Sequence, residues 1–209
     1  MRQTNRIAHY TRVAAVGLSC STLLAWAPIA LAQHPGGGAA PTPVAPKEGT
    51  QFDFLVGQWE LVVKPQATTL AQRIHGVGKL PGTWKAWRAL DGWGIEDELR
   101  ITDPSGNPRL LLHAVRFFDA SNRHWSIAGV DVYRSLATTS TAEWKNGEMV
   151  STGQGTETDE RAYISRATFS SITPTSFAYR LDRSFDGGKS WTEGVTRIEA
   201  KRVSASAAR

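Results

Sequence analysis

Two dipeptides limit the fold of this chain more than any other feature. Asn146-Gly147 and Asp91-Gly92 each separate short runs rich in aromatic and β-branched residues. Such dipeptides supply the positive φ angles that a tight hairpin needs. From about residue 52 to 203 the pattern repeats. Segments 58–63, 83–90, 93–102, 109–118, 124–133, 141–145, 148–153, 161–172, 176–184 and 191–203 read as strands. Turn-forming clusters such as Asp103-Pro-Ser-Gly-Asn107 lie between them, and 52–56 reads as a short helical turn. No stretch of ten or more residues places apolar side chains at helical spacing without an intervening Gly or Pro. The connections suit sequential antiparallel pairing and are too short for crossover helices. A meander of about ten strands removes its edges by closing into a barrel or folding into a sandwich. The expectation is all-β, a single antiparallel barrel over residues 51–203.

The N-terminus reads as an export signal. Arg2, Arg6 and Arg12 precede an apolar run that ends in Ala30-Leu31-Ala32, so cleavage leaves Gln33 first in a periplasmic or secreted protein. The run is close to the ~20 residues that span a bilayer. Pro28 and the small-x-small site favour cleavage, and no stable membrane insertion is expected after it. The single cysteine, Cys20, leaves with residues 1–32, so neither disulfide nor thiol chemistry is expected. Residues 33–50, with Gly36 to Gly38 followed by Pro41, Pro43 and Pro46, read as a tether, and 204–209 as a disordered tail. The chain has 24 basic and 19 acidic residues; losing three signal arginines and no acid leaves a balance of +2. Without Lys/Arg clusters, a nucleic-acid partner is not expected.

Alternation divides each strand into two faces but does not say which is inner. In 110–118, Leu110, Leu112, Ala114, Arg116 and Phe118 oppose Leu111, His113, Val115 and Phe117. In 124–133, Trp125, Ile127, Gly129, Asp131 and Tyr133 oppose His124, Ser126, Ala128, Val130 and Val132. Both faces are largely apolar, so either another element covers the outer wall or both faces build a core. Arg116 and Asp131 share faces with aromatic residues, as do Glu193 and Arg197 with Trp191. Charges on an inner wall must be paired or solvated.

Ser184-Phe-Asp-Gly-Gly-Lys-Ser-Trp191 fits the Asp-box pattern, a structural hairpin in which the aspartate accepts turn N–H groups and the tryptophan packs beneath. Together with Phe52-Asp-Phe-Leu-Val-Gly-Gln-Trp59, Arg116-Phe-Phe-Asp119, His124-Trp125, Arg166-Ala-Thr-Phe169, Ile172-Thr-Pro-Thr-Ser-Phe177, Arg197 and Arg202, it resembles a group of small exported bacterial lipocalin-like barrels. The resemblance spans residues 51–203. It implies a calycin-type antiparallel barrel with a central cavity, and no particular reaction. Gly57-Gln-Trp59 is similar to the Gly-x-Trp that opens lipocalins and the haem-binding nitrobindins. The latter carry a proximal histidine near the C-terminus, and here no histidine follows His124, so no cofactor is expected.

Of the remaining chemistry, His34, His75, His113 and His124 form no metal-binding spacing, so no metal is expected. There is no Gly-x-Ser-x-Gly elbow and no phosphate-binding glycine loop. In Glu96-Asp-Glu98, alternation sends the two glutamates one way and Asp97 the other. Trp84, Trp87, Trp93 and Trp125 suit a cavity lining or a sugar-stacking surface. The candidate ligand-binding residues are Trp84, Glu98, Arg116, Trp125, Tyr133, Glu193 and Arg197. The reading these support is a small, mainly apolar ligand in the lumen. An isomerase, cyclase or hydrolase in the same cavity needs Arg116 as an oxyanion partner and Glu98 or Glu193 as a buried base. A third reading is a non-catalytic envelope interaction protein. Ligand identity and oligomeric state are left open by the sequence.

Overall fold

The Asn146-Gly147 turn forms as its residues dictate. Their φ angles are 53° and 82°, and Lys145 pairs directly with Glu148, leaving a two-residue loop. A computed structural model describes residues 44–157 and 159–204 of the protein. The signal at 1–32, the tether as far as residue 43 and the tail from 205 lie outside them.

Ten antiparallel strands form in chain order: β1 (Gly57–Pro65), β2 (Leu80–Ala89), β3 (Gly94–Thr102), β4 (Pro108–Asp119), β5 (His124–Asp131), β6 (Leu136–Lys145), β7 (Glu148–Thr156), β8 (Ala162–Ser170), β9 (Ser176–Ser184) and β10 (Thr192–Arg202). Each pairs with its sequence neighbour, and β10 closes on β1 with Trp59 opposite Arg202 and Lys64 opposite Arg197. The sheet is a closed meander without a free edge. It has two strands more than the eight typical of lipocalin barrels.

The Asp91-Gly92 hairpin is longer than two residues. Strand β2 last pairs at Ala89 with Gly94, so four residues make the turn, and Leu90, Asp91 and Gly92 all take positive φ. Strand β3 opens on Gly94, where the backbone carbonyl of Arg116 on β4 leaves no room for a Cβ. The β1–β2 connection holds one short helix, α1 (Leu70–His75), too brief for a periodicity search. Its start is a capping box: Thr69 Oγ1 accepts the Gln72 N–H at 3.2 Å, and Gln72 Oε1 accepts the Thr69 N–H at 3.2 Å.

One end of the barrel is plugged from below. The 3₁₀ turns Lys47–Thr50 and Asp53–Leu55 lie under it and insert Phe52 and Leu55, both fully buried. Phe52 meets Trp125 edge-on at 4.9 Å and Phe169 at 6.0 Å, while Trp59 meets Phe177 at 4.8 Å. Offset and edge-to-face rings suit the aromatic quadrupole. The polar tips are also satisfied: Trp59 Nε1 donates to Leu55 O at 2.8 Å and Trp125 Nε1 to Gln51 Oε1 at 3.1 Å. Arg202 lies 4.2 Å over the Trp59 ring and donates to the carbonyls of Val56 and Pro174, each at 2.7 Å, locking the floor to the last strand. The end of the expected tether therefore belongs to this floor: Gly49 is buried, and its carbonyl accepts Arg88 Nη1 at 3.0 Å.

At the opposite end the Asp box is fully formed. Asp186 accepts the N–H and hydroxyl of Ser190 at 2.9 and 2.6 Å and the Ser184 hydroxyl at 2.8 Å. The Trp191 indole donates to Gly188 O at 3.2 Å. A bulge at Gly194 (φ 62°) follows, where the β9–β10 register shifts. Its N–H donates at 2.9 Å to Asp182, which is fully buried on the outer wall beneath Arg166 and Arg180. Burial pushes the Asp182 carboxyl up, but the Gly194 N–H and the arginines outweigh it and hold it below its usual value.

The outer wall of β4 to β7 accounts for the two-sided apolar pattern. Leu111, Val115, Phe117, Ser126, Ala128, Val130, Ala137, Thr139, Thr141, Val150, Thr152 and Gln154 face outward there, with His113 and His124 among them and the charged Glu143, Lys145 and Glu148 at the β6–β7 hairpin end of the same face. Elsewhere outward positions carry charges, such as Glu96, Glu98 and Arg100 on β3 and Arg197, Glu199 and Lys201 on β10.

Candidate ligand site in the barrel lumen

Above the aromatic floor the barrel is hollow, with a cavity of about 390 Å³. That volume falls in the range of small-molecule sites. Its two walls differ in chemistry. Val63, Leu80, Leu99, Ile101, Leu112 and Ile198 make an aliphatic wall on β1 to β4 and β10. Thr138, Ser140, Ser151, Gly153 and Ser165 make a wall of small and hydroxyl-bearing residues on β6 to β8. Small side chains there are why the middle of the barrel stays open. Cross-strand register strings Arg116, Ile127, Ser140, Gly153, Ser165 and Arg183 into one row across β4 to β9. Interrupted by Ile127 and Gly153, that row carries polar side chains from the floor to the rim.

The floor end of that row is an ion pair. Arg116 is 5 % exposed and donates to Asp97 through Nε at 2.5 Å and Nη2 at 3.1 Å. Asp97 is fully buried and also accepts Trp84 Nε1 at 2.7 Å. The guanidinium sits 5.0 Å over the Phe52 ring, so pair, indole and plug interlock. Next to this group Tyr179 packs against Phe169 at 5.1 Å and Trp84 at 5.8 Å. Burial pushes its hydroxyl up to about 12, which keeps it a neutral donor.

Charge appears again at the rim. Arg109 lies near Asp103 at 3.3 Å and Arg134 near Asp131 at 3.5 Å. Arg183 donates through Nη1 to Glu157, and its guanidinium lies 4.4 Å over the Tyr163 ring. Four arginines thus line the cavity, and each has a carboxylate beside it.

The structure brings together only part of the expected constellation. Arg116 and Trp84 line the cavity. Trp125 points inward but is fully buried in the floor beneath it. Tyr133 lies outside, half exposed, because strand β5 ends at Asp131 and the turn from Val132 breaks the alternation. Glu98 is on the outer wall, where Arg100 Nε donates to it at 2.6 Å; this hydrogen bond holds the carboxyl below its usual value. Glu193 precedes the Gly194 bulge and is exposed, and Arg197 is exposed on the outer face of β10. Trp87 also faces outward. The base that an enzymatic reading required, Glu98 or Glu193, therefore does not meet Arg116.

Asp97, Ser165, Tyr179 and Arg183 were missed. Parity carries a signal for Asp97: it shares alternation with Ile95, Leu99 and Ile101, whereas Glu98 shares it with Glu96 and Arg100. Arg183 is likewise in phase with Phe177 and Leu181. Among the described residues no three His, Asp or Glu side chains converge as a metal site. No known family model matches the chain, and no curated protein matches it in sequence.

Proposed function

We propose that this protein is an exported, lipocalin-like binding protein that holds a small, mainly apolar molecule in the barrel lumen. The observation that supports it is the cavity of about 390 Å³, plugged below by Phe52, Trp59 and Trp125 and lined on one side by aliphatic residues. A core needed only for stability packs to crystal-like density, with few voids larger than a water. The test is equilibrium binding of the neutral fluorophore Nile red to the purified exported protein and to Ala167→Phe. Ala167 lines the cavity on β8, and the larger ring fills it. At least tenfold weaker binding to the variant supports the reading; equal binding refutes it. Export is tested alongside by N-terminal sequencing, with Gln33 expected as the first residue.

The uncharged middle of the outer wall of β4 to β7, between Val115, Ala128, Thr139 and Thr152, favours a second reading, an envelope interaction protein docked through that face. Contiguous uncharged surface of this kind marks contact sites more often than free surface. Val130→Lys, 48 % exposed on that face opposite His113, leaves the lumen untouched and is expected to release any bound partner in co-purification.

A further inference from the structure

On the outside of the barrel, the wall of β8 to β10 concentrates positive charge. Cross-strand register sets Lys64, Arg197 and Arg180 in one outward row across β1, β10 and β9. Like charges directly opposite each other destabilise a sheet unless something compensates them. Lys64 is compensated, donating to Glu199 at 2.5 Å. Arg180 and Arg197 are not. Arg180 Nε is buried and lies 3.0 Å from Asp182 Oδ1 without bonding to it, and Arg197 is exposed with no ion pair among the described residues. Asp182 is already taken. It is fully buried and accepts Arg166 through Nε at 3.2 Å and Nη2 at 3.0 Å, and the Gly194 N–H at 2.9 Å.

The three arginines are held together by built features. The Arg197 guanidinium lies over the Gly194 bulge, its Cζ 2.6 Å from where a Cβ would stand, so only glycine leaves it room. The Trp191 ring backs Arg166 at 4.3 Å. Asp182 lies beneath both Arg166 and Arg180, whose side chains keep 32 % and 36 % of their surface in solvent. One carboxylate thus serves three guanidinium groups, an excess of two positive charges. Glu193, exposed beside the bulge, forms no ion pair among the described residues.

We infer that this outer wall binds a phosphate monoester, its phosphoryl group seated between Arg180 and Arg197 with Arg166 beside it. Such a group carries about −1.5 to −2 charges at pH 7, which matches the excess. Guanidinium forks meet phosphate oxygens in bidentate, charge-assisted pairs. A phosphodiester carries one charge and leaves one arginine uncompensated. A soluble phosphorylated molecule and a lipid headgroup present the same group. The inference stands apart from the lumen reading.

The test is isothermal titration of the purified exported protein at pH 8 with phenyl phosphate, a monoester, and with methyl phenyl phosphate, its diester. The monoester is expected to bind at least tenfold more tightly. Arg180→Gln combined with Arg197→Gln weakens its binding at least tenfold without lowering the thermal midpoint measured in phosphate-free buffer. Arg123→Gln combined with Lys145→Gln removes two exposed charges elsewhere and stays within twofold. Equal binding of monoester and diester, no binding of either, or undiminished binding by the Arg180–Arg197 variant overturns the assignment. Sedimentation with phosphatidic acid vesicles identifies the source. Co-sedimentation that the same variant loses names a lipid headgroup, and its absence beside phenyl phosphate binding names a soluble ester. Should that variant not fold, the monoester–diester comparison decides alone.

Discussion

Truncating Asp97 to alanine removes the acceptor on which three buried N–H donors, two from Arg116 and one from Trp84, converge. Arg116, 5 % exposed, loses both hydrogen bonds, at 2.5 and 3.1 Å. Breaking a buried ion pair by deleting one partner costs about 3–5 kcal/mol, because the remaining charge stays desolvated. Trp84 Nε1 loses its 2.7 Å acceptor, which adds about 1–3 kcal/mol when the donor stays buried. The two losses share one site and do not add fully, so the expected cost is about 4–6 kcal/mol, a large part of the ~5–15 kcal/mol of a typical domain. At roughly 2–4 °C per kcal/mol for a domain this size, the melting temperature falls by roughly 10–20 °C. Urea denaturation at pH 7, followed by tryptophan fluorescence and far-ultraviolet circular dichroism, measures it. The pair Asp97→Leu with Arg116→Met removes both charges together and is expected to recover at least about 2 kcal/mol relative to Asp97→Ala. A single-variant cost below about 1 kcal/mol, or a double variant no better than the single, refutes the argument.

Three further outcomes are expected. Gly194→Ala places a Cβ at φ 62° and against the Arg197 guanidinium; the left-handed backbone alone costs about 1–2 kcal/mol, and an unchanged thermal midpoint would show that the bulge relaxes freely. The Ser190 hydroxyl and N–H, with the Ser184 hydroxyl, hold the Asp186 carboxyl down at about 2, whereas an unfolded aspartate titrates near ~3.9. The folded value being the lower, the ionised carboxylate's contribution is complete above the unfolded value and is lost as pH falls through about 2. The Gly188 and Ser190 amide resonances should therefore shift in that acid window, and fail to do so in Asp186→Asn. Trp59→Phe deletes the 2.8 Å bond to Leu55 O and weakens the stacking under Arg202; leaving that carbonyl short of a partner costs about 1–3 kcal/mol in chemical denaturation, with the far-ultraviolet spectrum unchanged.

The candidate site was only partly legible. Arg116 was legible because a charge at one parity with aromatic residues is unusual in a strand, and Trp84 because a tryptophan suits a cavity lining. Glu98 was chosen over Asp97 because a single strand does not say which face is inner, although the apolar company of Asp97 carries that information. Tyr133 and Glu193 were misplaced for another reason: alternation was extended across the turn that begins at Val132 and across the Gly194 bulge, and each ends the period of two. Arg183 carried the same sign as Asp97, being in phase with Phe177 and Leu181, whereas Ser165 gave no local sign, since its place opposite Arg183 comes only from the pairing of β8 with β9.

By itself the sequence determined the all-β class, the count of strands and the meander order. Those follow from hairpin dipeptides, period-two patterning and short connections, all of which act within about ten residues of chain. Tertiary structure alone decided which face turns inward and that residues before the first strand plug the floor, and it fixed the register in which β10 closes the expected barrel on β1. It also decided that Asp97, Arg116 and Trp84 meet, although they are separated by up to 32 positions in the chain. These contacts depend on how far each strand is staggered against the next around a closed ring, a property of all ten pairings together that no single segment encodes.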